Sequence, residues 1–354
     1  MASTSAERHK YWQLWMQYCG VDGTNPIFST ITQPILRKLK GFAARVRTGY
    51  YGRRRQVKVA TVQVALSAIG TSIVVEGHAF CNPLHDANGK LILPLRYLLD
   101  AYKQKDPPVL PQLAVPLELI IKSQQMLPPR GKQYERAALL IGIAYFYLLR
   151  VGEYTKPRKQ TRTVQFRLKD IMFWKNNTAL DPRTTPRQIL ATADAATLRI
   201  ENQKNGIKNQ TIHHEVNDRK DGVCPVALLL KLTLALLDDG ATDNTLICSY
   251  KLGSDWFHIE DKHITELVKW MAKKTGLHNK GFPINRIGSH SLRAGGAMAL
   301  KLNGIDDVLI KKYGRWTSDT FITYIHEQIA HLAAGVSTAM SKSIVFYNVA
   351  GFAT

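Results

Sequence analysis

The sequence predicts a mainly helical α+β chain in two domains, and three observations carry that prediction. Apolar residues recur at helical spacing through most of the 354 residues. Three short stretches between 162 and 216 alternate instead with the period of two that a strand requires. A proline cluster, Pro107, Pro108 and Pro111, separates two helical patterns and puts a boundary near residue 107. A chain of this length can bury two separate cores.

The elements follow in order. Tyr11, Leu14, Trp15 and Tyr18 form the stripe of a first helix. A second helix is expected over about 29–46, with Ile31, Ile35, Leu36, Leu39, Phe42 and Ala43 inward; Pro34 pulls its true start toward itself. A third covers about 57–74. The second domain opens with a helix over 117–126 and a turn at Pro128, Pro129 and Gly131. A strongly apolar helix over 133–149 then closes on Arg150. A charge ending a buried helix must meet a partner or line a cleft. Strands are expected at 163–168, 196–202 and 210–216, the last two joined through Asn205-Gly206, a strong hairpin dipeptide. That makes a three-stranded antiparallel sheet. Helices at 225–237, 263–275 and 289–329 complete the domain.

Charge narrows the partner. Lys and Arg number 48 against 27 Asp and Glu, a net +21, which suits a polyanion and above all nucleic acid. Arg37, Lys38, Lys40, Arg45, Arg47, Arg53, Arg54, Arg55 and Lys58 follow one another with no acid among them, and Tyr50 and Tyr51 lie between them. These nine are the candidate DNA-phosphate contacts. The run Arg53-Arg54-Arg55 also reads as a nuclear-import signal, so a eukaryotic chain would be nuclear and any other cytoplasmic. Cys19, Cys81, Cys224 and Cys248 are far apart, which argues against disulfides and zinc. The longest nearly apolar run, 137–149, is too short to span a bilayer, so no membrane association is expected. His213-His214 lacks a metal-site pattern and reads as a strand pair with one imidazole outward. Asp238-Asp239 and Asp306-Asp307 lack the convergence of a two-metal centre, so no metal is assigned.

Between 289 and 326 the candidate chemistry concentrates. His290 and Arg293 are spaced i, i+3 on a helix; Gly314-Arg315-Trp316 follows, and Tyr324 lies eight residues beyond Trp316. Taken with Arg150 in LLRVGE and a lysine at the hairpin, this ordered set resembles the tyrosine recombinase, or phage-integrase, family. GRW with the eight-residue spacing is similar to eukaryotic mobile-element members of the DIRS and Crypton type.

The resemblance implies a helical, SAM-like core-binding domain over 1–106, a linker over 107–116, a catalytic domain over 117–329 and a tail over 330–354 that could exchange between subunits. It implies a site-specific recombinase or integrase acting on double-stranded DNA as a homotetramer, with the free protein possible as a monomer. Arg150 and Arg293 would clamp the scissile phosphate, with bidentate geometry that lysine lacks. His290 would move a proton beside it, and Trp316 would stand where relatives have His or Trp. Glu153 would orient Arg150 or a neighbour, and Lys204, or else Lys208, would protonate the departing 5′-oxygen. Tyr324 would be the nucleophile of a 3′-phosphotyrosine intermediate, with Tyr313 and Tyr347 as competitors. The intermediate keeps the bond energy, so neither ATP nor another cofactor is expected. Two alternatives remain at this stage: a type IB topoisomerase-like enzyme, and an inactive DNA-binding protein of transposon origin.

Overall fold

The computed structural model describes residues 2–52, 55–77, 81–108, 112–157, 163–202, 208–217, 223–316 and 322. The chain divides into two compact units, Met1–Val109 and Leu110–Thr354.

In the first unit, α1 (Ala2–Gly20) buries Tyr11, Trp12, Trp15 and Cys19. The stripe is thus rotated from the expected one, and Leu14 and Tyr18 are only half-buried. Helix α2 (Gln33–Arg47) starts where Pro34 requires, because a first-turn proline lacks an N–H that the helix cannot use. Leu36, Leu39, Phe42, Ala43 and Val46 face the core. Trp15 meets Phe42 edge-on at 5.4 Å, and its indole N–H donates to the Pro26 carbonyl at 3.0 Å. Helix α3 (Val59–Glu76) has 18 residues and is by length and composition apolar enough to cross a membrane, longer than the apolar run at 137–149. Its Val62, Leu66, Ile69 and Ile73 lie in the same core as Trp12 and Phe42. Helix α4 (Leu93–Gln104) adds Leu95 and Leu99.

Among the predicted DNA contacts, Arg47 is a correction. It is 5% exposed, and its guanidinium donates to the Asp106 carboxylate and to the Val57 and Tyr102 carbonyls. The other Asp106 oxygen accepts from the Val59 amide at 2.8 Å. A buried cation needs such a set of acceptors, and here the acid comes from 59 residues away. Lys38 pairs with Asp22, and Arg45 stacks between Tyr18 and Tyr50, 4.7 and 5.0 Å from their ring centres. Arg37, Lys40, Arg55 and Lys58 are exposed. Arg53 and Arg54 lie outside the described residues.

The second unit begins earlier than the expected linker allows. Leu113, Ala114 and Val115 are buried, the Leu113 amide donates to Arg286 O at 2.8 Å, and that of Val115 to Ser291 O at 3.2 Å. Helices α5 (Leu117–Met126) and α6 (Lys132–Phe146) follow, then a single turn, α7 (Val151–Tyr154). Among the described residues the sheet has four strands, not three. Strands β1 (Ile171–Lys175), β2 (Thr178–Leu180), β3 (Ala195–Asn202) and β4 (Lys208–Glu215) run antiparallel in the order β2-β1-β3-β4. Residues 163–168 are not among them. The amides of Phe166 and Leu168 donate to Glu153 O and Thr245 O, so their alternation serves burial without a ladder. The missed hairpin turns at Asn176-Asn177, both left-handed with φ of 48° and 60°, a turn asparagine tolerates.

A short helix α8 (Arg187–Leu190) precedes β3. Helix α9 (Pro225–Asp238), the hairpin β5 (Ser249–Leu252) and β6 (Asp255–His258), and α10 (Asp261–Lys274) surround α6. Helices α11 (His290–Leu302) and α12 (Asp307–Tyr313) follow, separated at Gly304, whose φ is 77°. Helix α11 comes very close to its neighbours. A Cβ on Gly295 would lie 2.2 Å from the Val115 carbonyl oxygen, and one on Gly296 the same distance from that of Tyr145. Only glycine permits that approach, and it brings Arg293 to the end of α6.

Candidate active site

Two helix ends build the site, and both close by the same backbone motif. At the end of α6 the Leu149 amide reaches Ala144 O at 3.0 Å, with Leu148 left-handed at φ 47°. At the end of α12 the Trp316 amide reaches Lys311 O at 3.0 Å and the Arg315 amide reaches Lys312 O at 3.1 Å, with Arg315 left-handed at φ 57°. This is the Schellman closure, whose left-handed position usually holds glycine. Leucine and arginine there carry a backbone cost of about 1–2 kcal/mol each.

The reversal at Leu148 ends α6 before Arg150, which starts α7 instead of closing a long helix. The Arg150 amide donates to Glu153 Oε2 at 2.8 Å and its Nη1 to Glu153 Oε1 at 3.2 Å. Glu153 is 1% exposed. It also accepts from Arg315 Nη2 at 2.9 Å, so one buried carboxylate serves two arginines.

Main-chain oxygens complete the set. Arg293, 3% exposed, donates through Nη1 to Leu148 O at 2.9 Å and through Nη2 to Gly314 O. Arg315 Nη2 shares the Leu148 oxygen at 3.1 Å, and Arg150 Nη2 donates to Arg315 O at 3.2 Å. The two left-handed residues therefore present carbonyls that hold all three guanidinium groups.

Trp316 stacks on Arg293, with 4.3 Å from guanidinium carbon to ring centre. Gly314 makes room for it. A Cβ there would fall 1.6 Å from the indole ring. Gly314 itself has φ −76°, so its value lies in having no side chain rather than in backbone freedom.

His290 sits at the exposed start of α11 while Arg293, three residues on, is buried. Burial draws the Arg315 pKa below the ordinary arginine value, against Glu153 and with a smaller contribution from Arg150. The Tyr313 hydroxyl donates to His213 O, and burial raises its pKa. Both effects disfavour a phenolate and argue against Tyr313 as a nucleophile. His213 Nδ1 lies 2.9 Å from Thr197 Oγ1, and the His214 ring packs on Tyr147 and Tyr313 with centroids at 4.6 and 5.2 Å.

The structure thus brings together Arg150, Glu153, Arg293 and Trp316 and places His290 at the start of the same helix as Arg293. Lys204, Tyr324, Tyr347 and the tail 330–354 lie outside the described residues, as do Thr317, Ser318 and Asp319, the expected cap of the Tyr324 helix. Lys208 begins β4, paired through its backbone with Asn202. Sequence reasoning gave Arg315 no role. Its acidic partner is 162 residues away, and no local pattern signals such a pair.

No family model matches the chain, and no curated protein matches it in sequence. Its structure, however, is similar to that of the XerH site-specific recombinase bound to palindromic difH substrate in a post-cleavage complex. The TM-score is 0.51 at 15% identity, covering 86% of this chain and 72% of that one. The fold is that of a tyrosine recombinase. The Tn1549 transposon integrase with transposon right-end DNA gives a TM-score of 0.46 at 12% identity over 94% of each chain. A lambda integrase dimer on a COC′ core site gives 0.44 at 13%, covering 96% of this chain and 90% of that one. Within this recombinase fold Arg150, Glu153, Arg293 and Trp316 come from three separate stretches of sequence, brought together by the ends of α6 and α12 and by α7 and α11.

Proposed function

We propose that the chain is a site-specific DNA recombinase or integrase that cuts and rejoins strands through Tyr324. One observation carries the reading: three guanidinium groups, of Arg150, Arg293 and Arg315, gather on the Leu148, Gly314 and Arg315 carbonyls, with Glu153 accepting from Arg150 and Arg315. A cluster of three guanidinium groups suits a phosphodiester whose non-bridging oxygens gain charge in the transition state.

In this mechanism the Tyr324 oxygen attacks phosphorus and loses its proton toward His290, which faces solvent. Arg150 and Arg293 neutralise the phosphoryl oxygens, with the Trp316 ring holding Arg293 in orientation. The P–O5′ bond breaks, and Lys204, or else Lys208, gives the departing oxygen a proton. A 3′-phosphotyrosine and a 5′-hydroxyl result, and attack by another strand's 5′-hydroxyl reverses the step. Exposed Arg37, Lys40, Arg55 and Lys58 hold phosphates of the duplex. Four protomers on two duplexes complete the exchange. An apolar cleft of about 510 Å³, lined by Tyr145, Phe146, His214, Leu300, Leu309 and Tyr313, supports a protein neighbour at this unit.

A nicked suicide duplex tests the chemistry. Covalent attachment in EDTA that Tyr324→Phe abolishes is the expected result. Attachment that survives Tyr324→Phe, or that needs a divalent metal, sinks the mechanism. Efficient relaxation of a plasmid without a specific site would favour the topoisomerase reading instead.

A further inference from the structure

We propose that Arg315 is a positioning residue that sets the spacing of the phosphate-binding groups; this rests on the phosphoryl-transfer reading above. Its side chain and backbone point to the same role. Nη2 ties the Glu153 carboxylate at 2.9 Å to the Leu148 carbonyl at 3.1 Å. Arg293 uses that same carbonyl at 2.9 Å. The Arg315 carbonyl accepts from Arg150 at 3.2 Å, and the neighbouring Gly314 carbonyl accepts from Arg293. The peptide that follows leads directly to Trp316 on the face of Arg293. One residue thus touches, or is bonded through one intermediary to, every described group around the Arg293 guanidinium.

Two features argue against a role in stability alone. The helix end closes through backbone amides, for which no arginine is needed, and the left-handed position favours glycine. Arg315 also buries two N–H donors, Nε and Nη1, without partners, a costly arrangement in a protein interior. At 4% exposure it does not itself reach a duplex, so it acts through its neighbours.

The test begins with a pool of nicked, randomised duplexes, from which the wild-type chain selects its own probe by covalent attachment. On that probe Arg315→Met should slow single-turnover attachment about 100-fold, the loss expected for a misplacement of about 1 Å, while the duplex Kd changes little. Arg315→Lys, whose ammonium can meet both acceptors, should recover much of the rate. The double variant Glu153→Gln/Arg315→Met removes both buried charges, so it should recover melting temperature but not rate. Recovery of both would reduce Arg315 to a counter-ion of Glu153 and overturn the inference, as would wild-type rates in Arg315→Met.

If the wild-type chain captures no duplex, the proposed function fails, and a DNA-free measurement judges the positioning. In it, the guanidinium N–H resonances of Arg150 and Arg293 are titrated with inorganic pyrophosphate. Both should move together at one midpoint in the wild type and at separate or higher midpoints in Arg315→Met. Identical titrations in the two proteins, or no response in either, would refute the positioning role.

Discussion

Arg47 in the first unit and Arg293 in the second are both buried, 5% and 3% exposed, yet their surroundings differ in kind. Arg47 has a carboxylate of its own, Asp106, plus two carbonyls, and its charge is closed. Arg293 donates to the Leu148 and Gly314 carbonyls and stacks on the Trp316 face, while Glu153 accepts from Arg150 and Arg315. Carbonyl dipoles satisfy N–H groups without cancelling the ion. A buried arginine paired with its own acid is therefore a tie within the fold. One held by main-chain oxygens keeps its field for an anion.

Substitutions can break this contrast. Arg293→Ala should have the largest effect, lowering covalent attachment to a nicked duplex by about 1000-fold, the scale of losing a positioned transition-state donor. Arg47→Ala should instead produce the largest fall in melting temperature of any cation replaced in the first unit and leave the attachment rate at saturating DNA unchanged. Equal effects of the two on attachment would erase the distinction. Gly314→Ala comes next. A Cβ 1.6 Å from the indole ring must displace Trp316, and a shift of that size should slow attachment about 100-fold. Gly152→Ala, whose Cβ would meet nothing within 4 Å, is the control.

The exposed cations give a finer test. Neutralising Lys40 or Arg55 should reduce the slope of log K against log salt by about 0.9 for each lost phosphate contact, whereas Arg47→Gln should leave it unchanged. A separate effect, on stability and not on attachment, concerns His214. Burial, with help from His213, lowers its pKa to about 4 against a backbone hydrogen bond to Phe146. An unfolded chain takes up that proton near pH 6.5. Stability should therefore be complete above pH 6.5 and fall as pH drops toward 4, by at most ~3 kcal/mol. Urea midpoints at several pH values measure this, and His214→Phe should flatten the curve.

Helices α2, α5 and α9 were legible because each buries one face and carries its own proline or turn signals. The sheet was less so. Residues 163–168 alternate as a strand would, but the Phe166 and Leu168 amides donate to the carbonyls of Glu153, in α7, and of Thr245 instead of to a neighbouring strand. The hairpin at Asn176-Asn177 was overlooked because asparagine pairs signal the same left-handed turn more weakly than Asn-Gly. In the site, Arg150, Glu153, Arg293 and Trp316 could be read from ordered motifs. Arg315 and the Leu148 carbonyl could not, since backbone handedness and an ion pair over 162 residues leave no periodic trace. Arg47 misled for the same reason: its run of sequence holds no acid, but Asp106 lies beyond it.

The separation between Arg150 and the carbonyl it uses on Arg315, 165 residues, also has a consequence in time. At typical rates of synthesis, 5–20 residues per second, Arg150 is made roughly 8 to 33 s before Arg315. Until then Glu153 has one of its two arginines and Arg293 lacks both Gly314 and Trp316. A nascent or prematurely ended chain would already carry the basic first unit, while Arg150 and Arg293 still lacked the frame that Arg315 and its neighbours supply. The basic first unit is thus translated before the guanidinium cluster of the second is complete.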